Sequence, residues 1–181
     1  MALRQIRELG DECLLKVCKP VTEINKRTLD LIDDLLDTMY DAEGVGLAAP
    51  QVGILRRAVL VLETNVAEDE DEYIIELINP EIVSTDGEQS GGEGCLSFPG
   101  QYGIVRRPMY VEVKAFDRNG NLFEVKGEGL TARAFCHEID HLDGVLFVDK
   151  ADHMLTDEEL EELMGGKEEE SEEAETEDTA E

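Results

Sequence analysis

The residues of this chain best spaced for chemistry are the two histidines of His137-Glu138-Ile139-Asp140-His141. On an α-helix, positions i and i+4 share one face, so both imidazoles can reach a single metal ion. Glu138 sits in the same turn, where its carboxylate can take a proton from a water at that ion. A catalytic metal keeps three protein ligands and one open position, so a third ligand is required. A third histidine in the extended pattern HExxHxxGxxH is excluded: Gly144 fits the glycine, but Phe147 stands where the histidine should be. A downstream carboxylate is a second option, and Glu161 could supply it. Cys95 is the better candidate. It lies in Ser90-Gly-Gly-Glu-Gly-Cys-Leu-Ser-Phe-Pro-Gly100, whose glycines and proline predict irregular backbone that can approach a ligand closely. The Cys95 thiolate with His137 and His141 makes a tetrahedral site with one position open. Among the other candidates, His153 falls outside the pattern and reads as a surface residue. Cys13 and Cys18 read as buried, inert thiols. Cys136 points about a hundred degrees away from His137 on the helix and reads as core or pocket lining.

A second segment, Glu43-Gly-Val-Gly-Leu-Ala-Ala-Pro-Gln-Val-Gly53, contains Gly44, Gly46 and Ala49 at the spacing of a dinucleotide-binding turn. That turn should follow a strand and open a helix. Here a helix precedes it, and Pro50 would block a helix after it. The segment therefore reads as a glycine-rich loop that brings backbone N–H groups and one amide side chain, Gln51, toward a partner not fixed by the pattern.

The elements that must position these residues follow from periodicity. Leu29, Ile32, Leu35, Leu36 and Met39 predict a helix ended by Gly44. Strands are predicted at 58–63, at 73–78 (closed by Asn79-Pro80), and at 110–116. The last is joined by Asp117-Arg-Asn-Gly120 to a returning strand at 121–126. A helix over about 130–142 carries the histidines, and Gly144 stops it. A short strand is predicted at 145–148. Thr156-x-x-Glu159 is a capping box opening a last helix toward Met164, which Gly165-Gly166 ends. The order is helix, strands, helix, strand, helix, which is α+β rather than alternating α/β.

Composition narrows the function. The formal net charge of −28 opposes a nucleic-acid grip and docking on anionic lipid. Residues 167–181 hold nine acids and one lysine, without a large apolar side chain, and should be a disordered acidic tail. Residues 1–166 should form a single domain. Four cysteines are too few for a disulfide scaffold, and no signal or membrane-spanning stretch is evident. The expectation is a cytoplasmic protein, with a monomer favoured.

Three segments now stand together in order: GVGLAAPQ, EGCLS, and HEIDH followed by Leu142. In these motifs and their spacing, over residues 1–166, the chain resembles the bacterial peptide deformylases. It departs at Cys136, where many members carry Gln before the first metal-binding histidine, and in its acidic tail. The resemblance implies an α+β fold in which antiparallel sheets pack around a central helix carrying HExxH. It implies a hydrolase that removes the formyl group from N-formylmethionine of nascent polypeptides at the ribosome. It also implies Fe²⁺ held by Cys95, His137 and His141, with Zn²⁺, Ni²⁺ or Co²⁺ found in its place. Glu138 would move the proton, while the Gln51 amide and the Leu96 backbone N–H would face the oxyanion. The Gly46 backbone would pair with the substrate, and Val45, Leu130 and Ala134 would wall the methionine pocket. Glu93 would orient the loop carrying Cys95, with Arg106 or Arg107 as its candidate partner. Two other classes compete: a metallopeptidase using a remote Glu161, and a non-catalytic metal-binding module.

Overall fold

A computed structural model of the chain describes residues 2–67 and 71–162. The acidic stretch 167–181, the predicted helix end at Met164 and the Gly165-Gly166 stop lie outside the described residues.

Helix α1, Lys26–Asp41, begins at Asn25, whose side-chain oxygen accepts from the N–H groups of Arg27 and Thr28 at 3.1 and 3.3 Å. This satisfies two of the donors that a helix start leaves unpaired. Leu31, Ile32, Leu35 and Met39 form its buried stripe. They pack on a five-stranded antiparallel sheet of order β1-β2-β3-β6-β7. Its strands are Gly46–Ala48, Ala58–Glu63, Tyr73–Asp86, Tyr110–Phe116 and Leu122–Glu128. The β2 strand shows how the sheet is covered on both faces. Ala58 and Leu60 join the α1 cluster, whereas Val59 and Val61 join the cluster around helix α2, Gly129–Leu142. Alternation with period two sends successive side chains to opposite faces. A second antiparallel sheet, β4-β5-β8, is built from Gln89–Gly94, Tyr102–Arg107 and Ala151–Met154. It has its own apolar cluster of Leu14, Phe98, Val105, Leu146 and Phe147. Helix α2 is thus the central helix, buried along nearly its whole length.

Three local expectations are corrected. The strand predicted at 145–148 is absent. Helix α3, Phe147–Lys150, forms there instead, because Asp149 folds back to accept from Leu146 N–H at 3.2 Å, and β8 follows. The strand predicted to close at Asn79-Pro80 continues to Asp86. Asn79 adopts φ +51°, and the register shifts between Ile78 and Glu81. Its side chain bonds both backbone groups of Val21, at 2.7 and 2.8 Å, in place of ladder partners. Ser90–Gly94, read as irregular, lies in strand β4. Three glycines in six residues left no alternation to read. The hairpin turn agrees with its prediction: Asp117 accepts from Asn119 and Asn121 N–H, and Gly120 takes φ +82°. The capping box is also formed, with reciprocal bonds between Thr156 and Glu159.

Candidate metal centre

A helix buried on all sides should be apolar. The α2 helix buries Thr131, Arg133, His137, Glu138 and His141 as well. Buried polar groups need partners or a task. The helix faces the turn after β4, and there the Sγ of Cys95 lies 3.3 Å from Nε2 of His141. Ligand atoms of Cys95, His137 and His141 all fall within 4.8 Å of one another, the one such group found among the described residues. A tetrahedral ion with S and N ligands would place S and N about 3.6 Å apart, given bond lengths of about 2.3 and 2.0–2.1 Å. The donor set and its spacing therefore fit one metal ion. Burial, then the positive neighbours His137 and Arg107, push His141 well below the usual imidazole range, leaving a neutral ring with a lone pair to donate.

Glu138 lies beside this group and is not a member of it. Its Oε2 is buried without a partner. Burial lifts its carboxyl to about 7, against the opposing charges of His137 and Arg107. A carboxyl poised near neutrality suits proton transfer. Gly46 makes room for it: a Cβ there would fall 2.6 Å from Glu138 Oε1.

Gln51 stands on a single 3₁₀ turn, Ala49–Val52, which Pro50 helps to start. Its Oε1 accepts from Ala48 N–H at 2.8 Å, and this fixes the amide orientation. The Nε2 is thereby turned to donate to Cys95 Sγ at 3.4 Å and Ser97 Oγ at 3.2 Å. The N-terminal segment backs both loops, with Arg7 N–H donating to Gln51 O and Leu9 N–H to Ser97 O.

Behind the centre, Glu93 accepts from His137 Nδ1 at 3.1 Å, from Arg107 at 2.8 and 3.0 Å, and from Arg133 at 2.8 Å. Burial opposes its charge, but the bonds from His137 and Arg107 hold the carboxyl down at about 2. Arg107, not Arg106, is the partner; Arg106 pairs with Asp152 at the surface. Arg107 also reaches Asp140 of α2 at 2.6 Å.

In front lies a cavity of about 580 Å³ that reaches Cys95, His137, Glu138 and Gln51. Val45, Gly46, Leu96, Leu130 and Ala134 line it, so every residue expected at the substrate faces this space. Val45 and Leu130 are exposed at its mouth, and Ala134 is buried. The two sheets present edge strands here: β1 through Gly46, and β4 through Gly92, Glu93 and Gly94. Glu161 is exposed on the C-terminal helix and is not in the ligand group. His153 is exposed and pairs with Glu159. Phe147 stacks on His137, with ring centroids 6.0 Å apart.

Sequence reasoning missed Arg133, Ser97 and Asp140. For Arg133 a signal existed. A lone arginine within the apolar run Ala132 to Phe135 has to find a buried acid.

Comparison with known proteins gives one answer. The polypeptide deformylase family model matches residues 3–157. A peptide deformylase of Lachnoclostridium phytofermentans is 60% identical over 167 residues, covering 90% of this chain and 100% of that protein. One of Thermoanaerobacter pseudethanolicus is 55% identical over 163 residues, covering 90% and 98%. Among solved structures, the peptide deformylase of Thermotoga maritima superposes with a TM-score of 0.78 at 38% identity, covering 84% of this chain and 99% of that one. A class I type b peptide deformylase of Acinetobacter baumannii with Met-Ala-Ser bound gives 0.76 at 34%, covering 82% and 98%.

Proposed function

The chain belongs to the peptide deformylase family, metal-dependent hydrolases that remove the N-formyl group from nascent polypeptides, and from that premise we propose how its own residues perform the reaction. Cys95, His137 and His141 hold one metal ion. Fe²⁺ is the proposed ion, and Zn²⁺, Ni²⁺ or Co²⁺ can replace it, since a thiolate with two imidazoles suits each of them. When bound, the ion supplies a Lewis acid that lowers the pKa of a water at its open position from about 15.7 toward about 7 and polarises the formyl carbonyl.

The protein does the rest. Glu138 takes the proton of the attacking water at its unpartnered Oε2 and delivers it to the departing amine. Gln51 Nε2 and the Leu96 N–H donate to the oxygen on which negative charge develops, and each such donor is typically worth about 3–4 kcal/mol. Glu93 donates no proton. It fixes the ring of His137 through Nδ1, so that Nε2 faces the ion. The peptide lies between the edges of β1 and β4, pairing with the Gly46 backbone as an added strand. Its methionine side chain enters the space walled by Val45, Leu130 and Ala134.

The observation that carries this reading is the meeting of Cys95, His137 and His141 beside a buried, unpartnered Glu138 at the base of the cavity. We further propose one catalytic domain over residues 1–166, working in the cytoplasm as a monomer on chains emerging from the ribosome. The charge of −28 is the reason to expect no direct hold on RNA. Among the described residues, no helix is long and apolar enough to cross a membrane.

Release of formate from formyl-Met-Ala-Ser, measured with and without a chelator, tests the proposal. Formate release that the chelator abolishes and added metal restores is expected. Turnover indifferent to the chelator, or cleavage of internal peptide bonds without formate release, would overturn it.

A further inference from the structure

The three candidate ligands come from two bodies. His137 and His141 ride on α2, whose apolar side chains pack with the five-stranded sheet. Cys95 follows β4, in the smaller sheet, whose apolar residues form a separate cluster. Among the described residues, these two clusters share no member. Apolar contacts do cross the seam, with Phe147 against the His137 ring and Leu96 against the α1 cluster. Strand β4 itself carries no apolar side chain, so polar ties hold it to α2.

Arg133 provides one. It is an α2 side chain only 6% exposed, and its guanidinium reaches back across the seam. One nitrogen donates to Glu93 Oε1 at 2.8 Å, to the Val105 carbonyl at 3.0 Å and to the Gly91 carbonyl at 3.4 Å. The other donates to Gln89 Oε1 at 3.4 Å. Gln89, Gly91 and Glu93 alternate along β4 with period two and so share the face toward α2. Cys95 is the next residue of that parity. Gln89 completes the tie by donating to the Gly129 carbonyl at the start of α2, at 2.6 Å. The strand is also shaped for the arginine: a Cβ at Gly91 would sit 3.2 Å from its guanidinium. Arg107 makes a second tie, from β5 to Asp140.

We propose that Arg133 is a positioning residue of the metal centre, a strut that locks β4 to α2 and so fixes where Cys95 stands relative to His137 and His141. The proposal rests on the reading of those three residues as metal ligands. Removing groups that orient ligands typically costs 10–100-fold in metal affinity.

The test uses Zn²⁺-loaded wild type, Arg133→Met, Arg133→Lys and Gly91→Ala. Metal remaining under excess chelator is followed by elemental analysis, with circular dichroism to certify folding and kcat and KM measured on formyl-Met-Ala-Ser. Arg133→Met should release zinc about 10–100-fold faster while folded. Arg133→Lys should fall between it and wild type, and kcat should drop more than KM rises. A folded Arg133→Met protein that releases zinc at the wild-type rate overturns the proposal. It does so whether only its melting temperature falls, as for a purely structural residue, or only its KM rises, as for a wall of the methionine pocket. Should Arg133→Met not fold, Arg133→Lys and Gly91→Ala decide: wild-type release in both overturns it. Cys95→Ser and His141→Ala serve as controls. If these retain zinc, it is the ligand assignment that fails.

Discussion

Glu138 and Gly46 share one small space: the carboxylate lies where a side chain on residue 46 would be. Glu138 is assigned the proton and no bond to the metal. Glu138→Ala should therefore keep one metal per chain and lose about 10²–10⁴-fold in turnover, the usual worth of general acid–base catalysis. His137→Ala and His141→Ala should instead lose the metal. Elemental analysis beside formate release separates the two; a metal-free Glu138→Ala protein would make Glu138 a ligand. Burial pushes the thiols of Cys13 and Cys18 up to about 11. The thiolate is the reactive form, and a raised pKa reduces its fraction at every pH below 11. At pH 8, iodoacetamide should label both at least about tenfold more slowly than a free thiol, with the rate rising as pH rises. Peptide mass spectrometry of the folded protein reads this, and labelling at the free-thiol rate contradicts it.

At the scale of elements, α1 and α2 sandwich the five-stranded sheet, but they are held by different means. The α1 helix is an amphipathic surface helix started by Asn25 and buried on one stripe. Asn25→Ala removes the acceptor for two N–H groups and should cost about 1 kcal/mol. In a chain of this size that lowers the melting temperature by roughly 2–4 °C. Formate release at 25 °C should not change, because Asn25 stands at the end of α1 remote from Gly44 and the cavity. An unaltered melting curve would show that α1 is held by packing alone. The α2 helix has the opposite character. Its start at Gly129, φ +55°, has no side-chain cap; it receives the Gln89 amide on its first carbonyl instead. Its position is a tertiary matter from the first residue.

For the whole molecule, a metal held by Cys95 and two histidines is a cross-link between the two sheets' bodies. It binds the folded chain alone, since the unfolded chain does not bring residues 95, 137 and 141 together. At a metal concentration of 100 times its Kd the folded state gains about 2.7 kcal/mol. Stripping the metal should lower the melting temperature by roughly 5–10 °C, and Cys95→Ser should erase that difference. Equal melting of loaded and stripped wild type would count against a cross-linking site. Local patterns in the chain were enough to indicate much of this molecule. The i, i+4 histidines, the capping box at Thr156 and the Asn-Gly hairpin are encoded within a few residues, because one helical turn or one tight turn sets them. The glycine-rich strand β4 was not legible, because strand pairing with β5 replaces the side-chain alternation it lacks. Nor was the passage of β3 through Asn79-Pro80, which depends on Val21, 58 residues away. The proposed ligand set was read as a resemblance of motifs, and the structure brings its three side chains into one metal-capable group. What only the tertiary structure decided is the shell around it: Arg107 rather than Arg106 on Glu93, Arg133 across the seam, and Gly46 against Glu138. Those contacts join residues 14 to 92 positions apart, and no local periodicity carries information over such separations.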